Sequence, residues 1–268
     1  MELEIAVNGT YVKLKGRGLA GGGGQRGDVR GFSRQSRARM MELFNKLDVD
    51  WRAHPLFITL TYPKEYSGNW KDWKRDLDVF LKRVERKLKK CACVWRLEFQ
   101  KRGAPHFHIL VFNASYLDKD WVARAWYAIV NSGDVKHLKA GTQCVRAKSD
   151  RQTCAYIAKY VAKVDSVGDD RQSGRIWGVR GRANLKQKIV KYCIPEQMFY
   201  KVRRMLRDWL ERKIGRRMVH LRCQGRGGVF FISDLWVARV IQCVIDDLGT
   251  IWEKLFFPKD WRKVIKDT

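Results

Sequence analysis

The sequence lacks any stretch of about eighteen or more apolar residues, the length that a membrane-spanning helix requires. Its first residues, MELEIAVNGTYVKLKG, begin with acidic side chains and contain no long apolar run. They therefore do not have the pattern of a secretory signal peptide. We expect no membrane partner and a cytoplasmic location.

Two common binding motifs are also missing. The four glycines Gly21–Gly24 are not followed by the Gly-Lys-Ser/Thr of a phosphate-binding P-loop. The seven cysteines are scattered, and Cys91-Ala-Cys93 has neither the two-residue gap nor the second pair of a zinc finger. We interpret the cysteines as reduced core residues of a cytosolic protein.

Acidic residues are few relative to basic ones. The chain has 28 Asp and Glu against 55 Lys and Arg, which gives a net charge of +27 that is spread along the sequence. Because a bound polyanion offsets the self-repulsion of such a charge, the composition indicates nucleic acid as the partner. The alternative is a basic surface that is merely solvated. The 45% of hydrophobic residues are typical of a folded protein.

Glycine content and hydrophobic patterns divide the 268 residues into three parts. Residues 1–32 are predicted to be a flexible Gly- and Arg-rich segment, although residues 1–15 alternate weakly like a strand. Residues 33–186 carry the motifs described below and form the predicted main domain. Residues 187–268 are predicted to be a mostly helical, basic accessory region with a long helix opened by Pro195.

Hydrophobic spacing predicts the elements of the main domain. Strands are expected at Pro55–Tyr62, Cys91–Gln100, His106–Phe112 and Thr142–Lys148, and helices at 33–47, 70–88, 118–131 and 150–164. Asn69 is a plausible N-cap of the second helix, and residues 168–184 resemble a loop. The order of elements is typical of an α+β fold, with helices packed on one face of a central antiparallel sheet.

Two of these strands form a predicted hairpin with dissimilar faces, because apolar and polar side chains alternate along both. If a five-residue loop, Lys101–Pro105, joins the strands, Gln100 faces His106 and Glu98 faces His108. That register places these four polar residues on one face and the apolar residues on the other.

The polar face carries a candidate metal site. In His106-Phe107-His108, the two-residue period of a strand directs both imidazoles to the same side. Two neutral imidazoles and the carboxylate of Glu98 are a suitable ligand set for a divalent cation, with Gln100 as a weaker candidate. The alternatives are histidines that only form hydrogen bonds and a surface glutamate paired with Arg96 or Lys101.

A second pattern follows on the helix predicted from residue 150. Tyr156, Lys159, Tyr160 and Lys163 recur at three- and four-residue spacing and form one stripe. A tyrosine attacks a phosphodiester only when a cation favours its phenolate, which a nearby lysine can do. The alternative is a pair of tyrosines that pack beside solvated lysines.

Together these segments resemble the motifs of the HUH endonucleases, specifically the two-tyrosine, gene A-like rolling-circle replication initiators. Phe57-Ile-Thr-Leu-Thr61 is similar to the first motif and Pro105-His-Phe-His108 to the metal-binding second motif. Tyr156-Ile-Ala-Lys-Tyr-Val-Ala-Lys163 resembles the third, and Gly174-Arg-Ile-Trp-Gly178 a segment that follows it.

The resemblance implies an HUH/RRM-like nuclease core that nicks single-stranded DNA or an origin hairpin in a bacterial or phage-infected host cell. Tyrosine attack would leave a 5′-phosphotyrosine and a free 3′-OH, and the strand would later be rejoined. It also implies Mg²⁺ or Mn²⁺ as the cofactor, Tyr160 as the first nucleophile and Tyr156 as the second. Since no helicase motif occurs, a host helicase is the expected partner.

Basic side chains in three segments are candidates for contact with DNA phosphates. They are Arg34 and Arg37 in the first helix, Arg175 in the later segment, and Arg203, Arg204 and Arg207 after Pro195. For the last group, a solvated basic helix face is the alternative.

Other functions fit parts of the pattern. A transposase or relaxase of the HUH type would share the chemistry, but the double tyrosine after the histidine pair disfavours both. A non-catalytic single-stranded DNA- or RNA-binding protein would use the basic surface and the eleven tryptophans for stacking. Most of the tryptophans, however, fit core positions of predicted helices.

Overall fold

The computed structural model describes residues 2–6, 12–15, 31–48, 54–149, 153, 156–157, 173–214 and 229–232. Its strands are β1 (Glu2–Ala6), β2 (Val12–Lys15), β3 (Leu56–Thr61), β4 (Ala92–Phe99), β5 (Pro105–Phe112), β6 (Thr142–Arg146), β7 (Trp177–Arg180), β8 (Ile189–Cys193) and β9 (Val229–Ile232). Its helices are α1 (Arg34–Lys46), α2 (Trp70–Leu88), α3 (Lys119–Val130), α4 (Val135–Ala140) and α5 (Glu196–Ile214). A 3₁₀ turn spans Arg182–Asn184.

The chain forms two compact units. One comprises Met1–Gln25, Met41–Asp48 and Gln187–Thr268, and the other comprises Arg26–Met40 and Val49–Lys186. Each unit contains its own sheet, and the larger sheet belongs to the second unit.

The larger sheet has five strands in the order β6-β3-β5-β4-β7, and every neighbouring pair is antiparallel. Its core face is covered by α2 and α3. The buried side chains are Leu56, Ile58 and Leu60 from β3, Leu97 from β4, Phe107, Ile109 and Val111 from β5, Trp73, Leu77, Phe80, Leu81 and Val84 from α2, and Val122, Ala125 and Trp126 from α3. This confirms the predicted α+β fold with helices on one face of an antiparallel sheet.

Side-chain caps define where the helices of this unit begin. The Asn69 side chain accepts a hydrogen bond from the Lys71 amide, which confirms the predicted N-cap of α2. Asp118 and Asp134 cap α3 and α4 in the same way. These caps satisfy backbone amides that have no partner within the helix.

The predicted register of the β4–β5 hairpin is wrong by two residues. Glu98 pairs with His106 and Arg96 with His108, and the five-residue loop is 100–104 rather than Lys101–Pro105. The Gln100 amide donates to the Ala104 carbonyl at 2.9 Å and its side-chain oxygen accepts from Arg102, so Gln100 belongs to the turn. Because the error is an even number of residues, the same side chains share each face.

The interpretation of residues 168–184 as a loop is also wrong in part. Trp177–Arg180 is strand β7, paired with β4 at the edge of the sheet. At Gly178, an added Cβ would lie 2.8 Å from the Trp95 indole, so only glycine allows this close approach.

The other unit contains a four-stranded antiparallel sheet in the order β8-β1-β2-β9. Leu3 and Leu14 are fully buried in it. Residues 2–6 and 12–15 of the predicted flexible segment are therefore strands. The predicted strand and long helix after residue 187 are confirmed as β8 and α5.

Some predicted elements fall outside the described residues: the glycine-rich linker, most of the helix at 150–164, and most of the C-terminal region. Within the described residues, no helix is both long and apolar enough to cross a membrane.

Candidate functional site

The face of the larger sheet opposite the core carries two rows of polar side chains across β3, β5 and β4. The rows are Thr61, His106 and Glu98, and Thr59, His108 and Arg96. Each row follows the cross-strand pairing, and side chains opposite each other in a sheet lie close enough to interact. The prediction that His106, His108 and Glu98 share one face is confirmed.

Threonine hydroxyls of β3 hold the two imidazoles. Thr61 Oγ1 lies 2.9 Å from His106 Nδ1, and Thr59 Oγ1 lies 3.4 Å from His108 Nδ1. The two rings contact each other at 4.4 Å between centroids. Because Nδ1 of each ring faces β3, Nε2 is the nitrogen directed away from that strand. Metal-binding histidines are commonly oriented in this way, through the second ring nitrogen.

The Glu98 carboxylate is buried at 4% exposure and has a charged or ionisable neighbour at each oxygen. Its Oε2 lies 3.6 Å from His108 Nε2, and its Oε1 lies 3.4 Å from Arg96 Nη1. Arg96 is itself only 1% exposed, and the Phe32 ring lies 4.4 Å from its guanidinium carbon. The carboxylate is thus shared between a histidine and a buried arginine.

The donor chemistry of this site suits a divalent cation. Two imidazole nitrogens and a carboxylate oxygen form a site with open positions for substrate or water. Within the described residues, however, no group of three or more His, Cys, Asp or Glu side chains is arranged to hold a metal ion. The metal site therefore stays a prediction.

Tyr156 lies beside the histidines on the same face. Its hydroxyl is 3.3 Å from His108 Nδ1, and its ring stacks on Phe57 with 4.0 Å between centroids. The backbone at Tyr156 and Ile157 is helical, as predicted, and Ile157 is buried. The other residues of the predicted stripe, Lys159, Tyr160 and Lys163, lie outside the described residues.

The position of Thr61 is fixed by groups that are distant in sequence. Its carbonyl oxygen accepts from Trp126 Nε1 at 2.8 Å and lies 2.7 Å from His137 Nε2, and its amide donates to the Gly141 carbonyl. His137 Nδ1 contacts the Ser132 hydroxyl. Sequence reasoning missed this support, because the imidazole and the carbonyl it contacts are 76 positions apart.

Arg96 is considered from the sequence only as a surface partner of Glu98. The signal that could have revealed its burial is the alternation itself, since Arg96 and Glu98 are two residues apart on one strand and share a face. The structure places it in the same row as His108.

The predicted segment Gly174–Gly178 runs beside β4. The Ile176 carbonyl accepts from the Leu97 amide at 2.7 Å, and Trp177 pairs with Arg96. The Trp177 indole donates to the Ser36 hydroxyl at the start of α1. This segment therefore flanks the half of β4 that carries Arg96 and Glu98.

A lysine with a shifted pKa contacts the core face of the same strands. Lys74 donates to the Arg175 carbonyl at 2.6 Å, and its ammonium lies 4.7 Å from the centre of the Trp95 ring. Burial, together with repulsion from the Arg175 guanidinium, lowers the pKa of Lys74 to about 7.

The arginines predicted to contact DNA fall into two groups. Arg37 is half-buried and Arg175 exposed in the unit of the larger sheet, and the side chain of Arg34 is not described. On α5, Arg204 and Arg207 are exposed and Arg203 is half-buried. Arg207 pairs with Asp208 at 3.5 Å.

Comparison with known proteins places the candidate site in a recognisable segment. Residues 55–165 match a family described as replication-associated proteins of the ORF2 type. Over 201 residues, the chain is 25% identical to a replication-associated protein of Pseudomonas phage Pf3, and the match covers 69% of this chain and 70% of that protein. The segment that carries His106, His108, Glu98 and Tyr156 is therefore similar to phage replication-associated proteins.

Proposed function

We propose that this protein initiates rolling-circle replication by nicking single-stranded DNA at an origin and later rejoining the strand. The observation that carries the proposal is one face of the larger sheet, where His106, His108 and Glu98 lie together with the Tyr156 hydroxyl at 3.3 Å from His108. The similarity of this segment to replication-associated proteins supports the same function.

The reaction is a transfer of a phosphodiester to tyrosine. The tyrosine oxygen attacks the phosphorus, the bond from phosphorus to the 3′ oxygen breaks, and that oxygen takes up a proton. The products are a 5′-phosphotyrosine and a free 3′-OH. Because the phosphodiester energy is kept in the new bond, the reverse transfer rejoins the strand.

In this proposal His106, His108 and Glu98 hold Mg²⁺ or Mn²⁺, in an HUH-type site. When bound, the cation polarises the scissile phosphate and offsets the charge that develops on its oxygens. The chain contributes the orientation of the ligands, because Thr59 and Thr61 engage Nδ1 of the two rings.

The placement of Tyr156 bears on the order of the two tyrosines. Its hydroxyl is near Nδ1 of His108, whereas Glu98 is near Nε2 on the other edge of the ring. An oxygen at Nδ1 is not on the side where a cation held by Nε2 would place a phosphate. This geometry supports Tyr160 as the first nucleophile and Tyr156 as the second, with Lys159 and Lys163 as the cations that favour the phenolate.

The net charge of +27 supports single-stranded DNA or an origin hairpin as the substrate. Arg37 and Arg175 are the proposed phosphate contacts in the unit of the larger sheet, together with Arg34. The exposed Arg204 and Arg207, with Arg203, are the proposed contacts on α5.

The test is the covalent intermediate. The protein is incubated with Mn²⁺ and single-stranded oligonucleotides that tile the genetic element encoding it, and the products are resolved on a denaturing gel and mapped by peptide digestion. We expect a protein–DNA adduct on Tyr160 or Tyr156 that is lost with EDTA and absent from the Tyr156→Phe/Tyr160→Phe variant. Salt-sensitive binding without any adduct would instead support a non-catalytic DNA-binding protein.

A further inference from the structure

Arg96 is a buried positive charge in the middle of the candidate site. It is 1% exposed, lies in the same row as His108, and contacts the Glu98 carboxylate through Nη1. Taking a guanidinium out of water is costly, so a buried arginine needs a compensating anion. Glu98 provides that anion.

The guanidinium is held in this position from two sides. The Phe32 ring lies 4.4 Å from its central carbon, and the Glu98 oxygen lies 3.4 Å from Nη1. Because arginine does not lose its proton in proteins, the charge remains at the site whatever else binds there.

The charges of the three groups decide how a cation would bind. Glu98 carries one negative charge, Arg96 carries one positive charge, and neutral imidazoles add none. The buried pair is therefore neutral overall, although one oxygen of the carboxylate still faces His108 Nε2 at 3.6 Å. A divalent cation at this oxygen would interact with Glu98 favourably and with Arg96 unfavourably.

We propose that Arg96 is a positioning residue and built-in counter-ion, which holds the Glu98 carboxylate by one oxygen and keeps the affinity of the site for a divalent cation low. This inference rests on the proposed function, because it treats Glu98 as a ligand. In this arrangement the cation takes the oxygen that faces His108, and Arg96 stays on the other.

The proposal predicts that removing the arginine charge strengthens cation binding. In Arg96→Met, the buried Glu98 loses its counter-ion, and a cation becomes the group that neutralises it. The repulsion between two cations a few ångströms apart is removed as well. We expect Mn²⁺ to bind about tenfold more tightly or better in the absence of DNA.

The measurement is a calorimetric titration of the full chain with MnCl₂ alone, for the wild type and for Arg96→Met, Arg96→Lys and Arg96→Gln. Arg96→Lys keeps the charge and is expected to stay near the wild-type affinity. Arg96→Gln replaces Arg96→Met if the latter does not fold. A thermal denaturation series adds a second readout: Mn²⁺ is expected to raise the midpoint of Arg96→Met more than that of the wild type.

Arg146→Met is the matched control for the loss of a structural arginine. The Arg146 guanidinium donates to the carbonyls of His54, Ala114 and Ser115. This variant is expected to lose stability and to bind Mn²⁺ as the wild type does. A purely structural role of Arg96 would make Arg96→Met behave like this control.

Unchanged or weaker Mn²⁺ binding by both Arg96→Met and Arg96→Gln would overturn the inference, and so would a wild type that does not bind Mn²⁺ at all. The titrations need no DNA, so their outcome is separate from the nicking test. If Mn²⁺ binds as expected but no adduct forms, the inference stands and the proposed function fails. If the adduct forms but the affinity does not change, only the inference fails.

Discussion

The two faces of the larger sheet are built by the same strands and differ in almost every other respect. On the core face, Leu97, Phe107 and Ile109 are covered by α2 and α3, and their contacts are apolar. On the site face, the neighbouring residues of the same strands are polar, and hydroxyls, imidazoles and an ion pair hold one another.

This difference shows how one stretch of chain can provide both stability and chemistry. In β5, Phe107 lies between His106 and His108, with its side chain on the opposite face. Burial of the phenylalanine contributes to folding, whereas the histidines contribute few apolar contacts. Substitutions at adjacent positions should therefore have opposite consequences, and three predictions follow this contrast from the largest effect to the smallest.

The largest effect is expected for the histidines themselves. His106→Ala or His108→Ala removes an imidazole from the proposed cation site, and we expect nicking of single-stranded DNA to fall at least about 1000-fold, beyond the effect of losing an outer-shell partner. DNA binding should be nearly unchanged, because phosphate contacts supply most of the affinity. Nicking is measured on denaturing gels and binding by fluorescence anisotropy at fixed salt.

Phe107→Ala is the matched control on the same strand. The ring is fully buried, so its loss should lower the free energy of unfolding by about 3–5 kcal/mol, measured by urea denaturation. The histidine variants should lose much less. Full nicking activity in either histidine variant would rule out the proposed role of the pair.

A smaller effect is expected for the threonines that hold the rings. Thr61→Val removes the hydroxyl 2.9 Å from His106 Nδ1, and we expect about a tenfold loss of nicking and of Mn²⁺ affinity. Thr59→Val should cost less, since its contact with His108 is longer at 3.4 Å and Tyr156 reaches the same nitrogen. Equal activity of Thr61→Val and the wild type would mean that the hydroxyl does not orient the ring.

The smallest effect concerns the lysine at the core face. The pKa of Lys74 is about 7 in the folded protein, lowered by burial and by the Arg175 guanidinium, whereas an exposed lysine has a value of 10.5. Between these values the unfolded chain binds more protons than the folded protein, so stability rises with pH. Since the Arg175 carbonyl and the Trp95 ring still stabilise the ammonium, we expect only about 1 kcal/mol.

This prediction is measured as the difference between the wild type and Lys74→Met in urea denaturation at pH 7 and pH 10. The wild type should gain stability relative to the variant as the pH rises. A difference that does not change with pH would show that the lysine keeps an ordinary pKa.

Sequence periodicity was sufficient to predict the parts of the fold that depend on local spacing. The alternation in β4 and β5 identified the two faces, and the three- and four-residue spacing after Asn69 identified α2. The shared face of His106, His108 and Glu98 followed from the same alternation, because it depends only on odd and even positions.

Features set by distant contacts could not be predicted in this way. The hairpin loop begins at Gln100, where Arg102 donates to the carbonyls of Tyr62 and Pro63, about 40 positions away. Strand β7 depends on the fit of Gly178 against Trp95. The support of Thr61 by Trp126 and His137 likewise joins elements that the sequence does not bring together.

The separation of the two faces has a consequence for redesign. Since Glu98, His106 and Thr61 project away from the packed interior, a protein engineer can exchange this set for donors that prefer another ligand without repacking the hydrophobic side. The exception is Arg96, whose removal strands a buried carboxylate. A transplanted site would have to replace Arg96 and Glu98 together, as one unit.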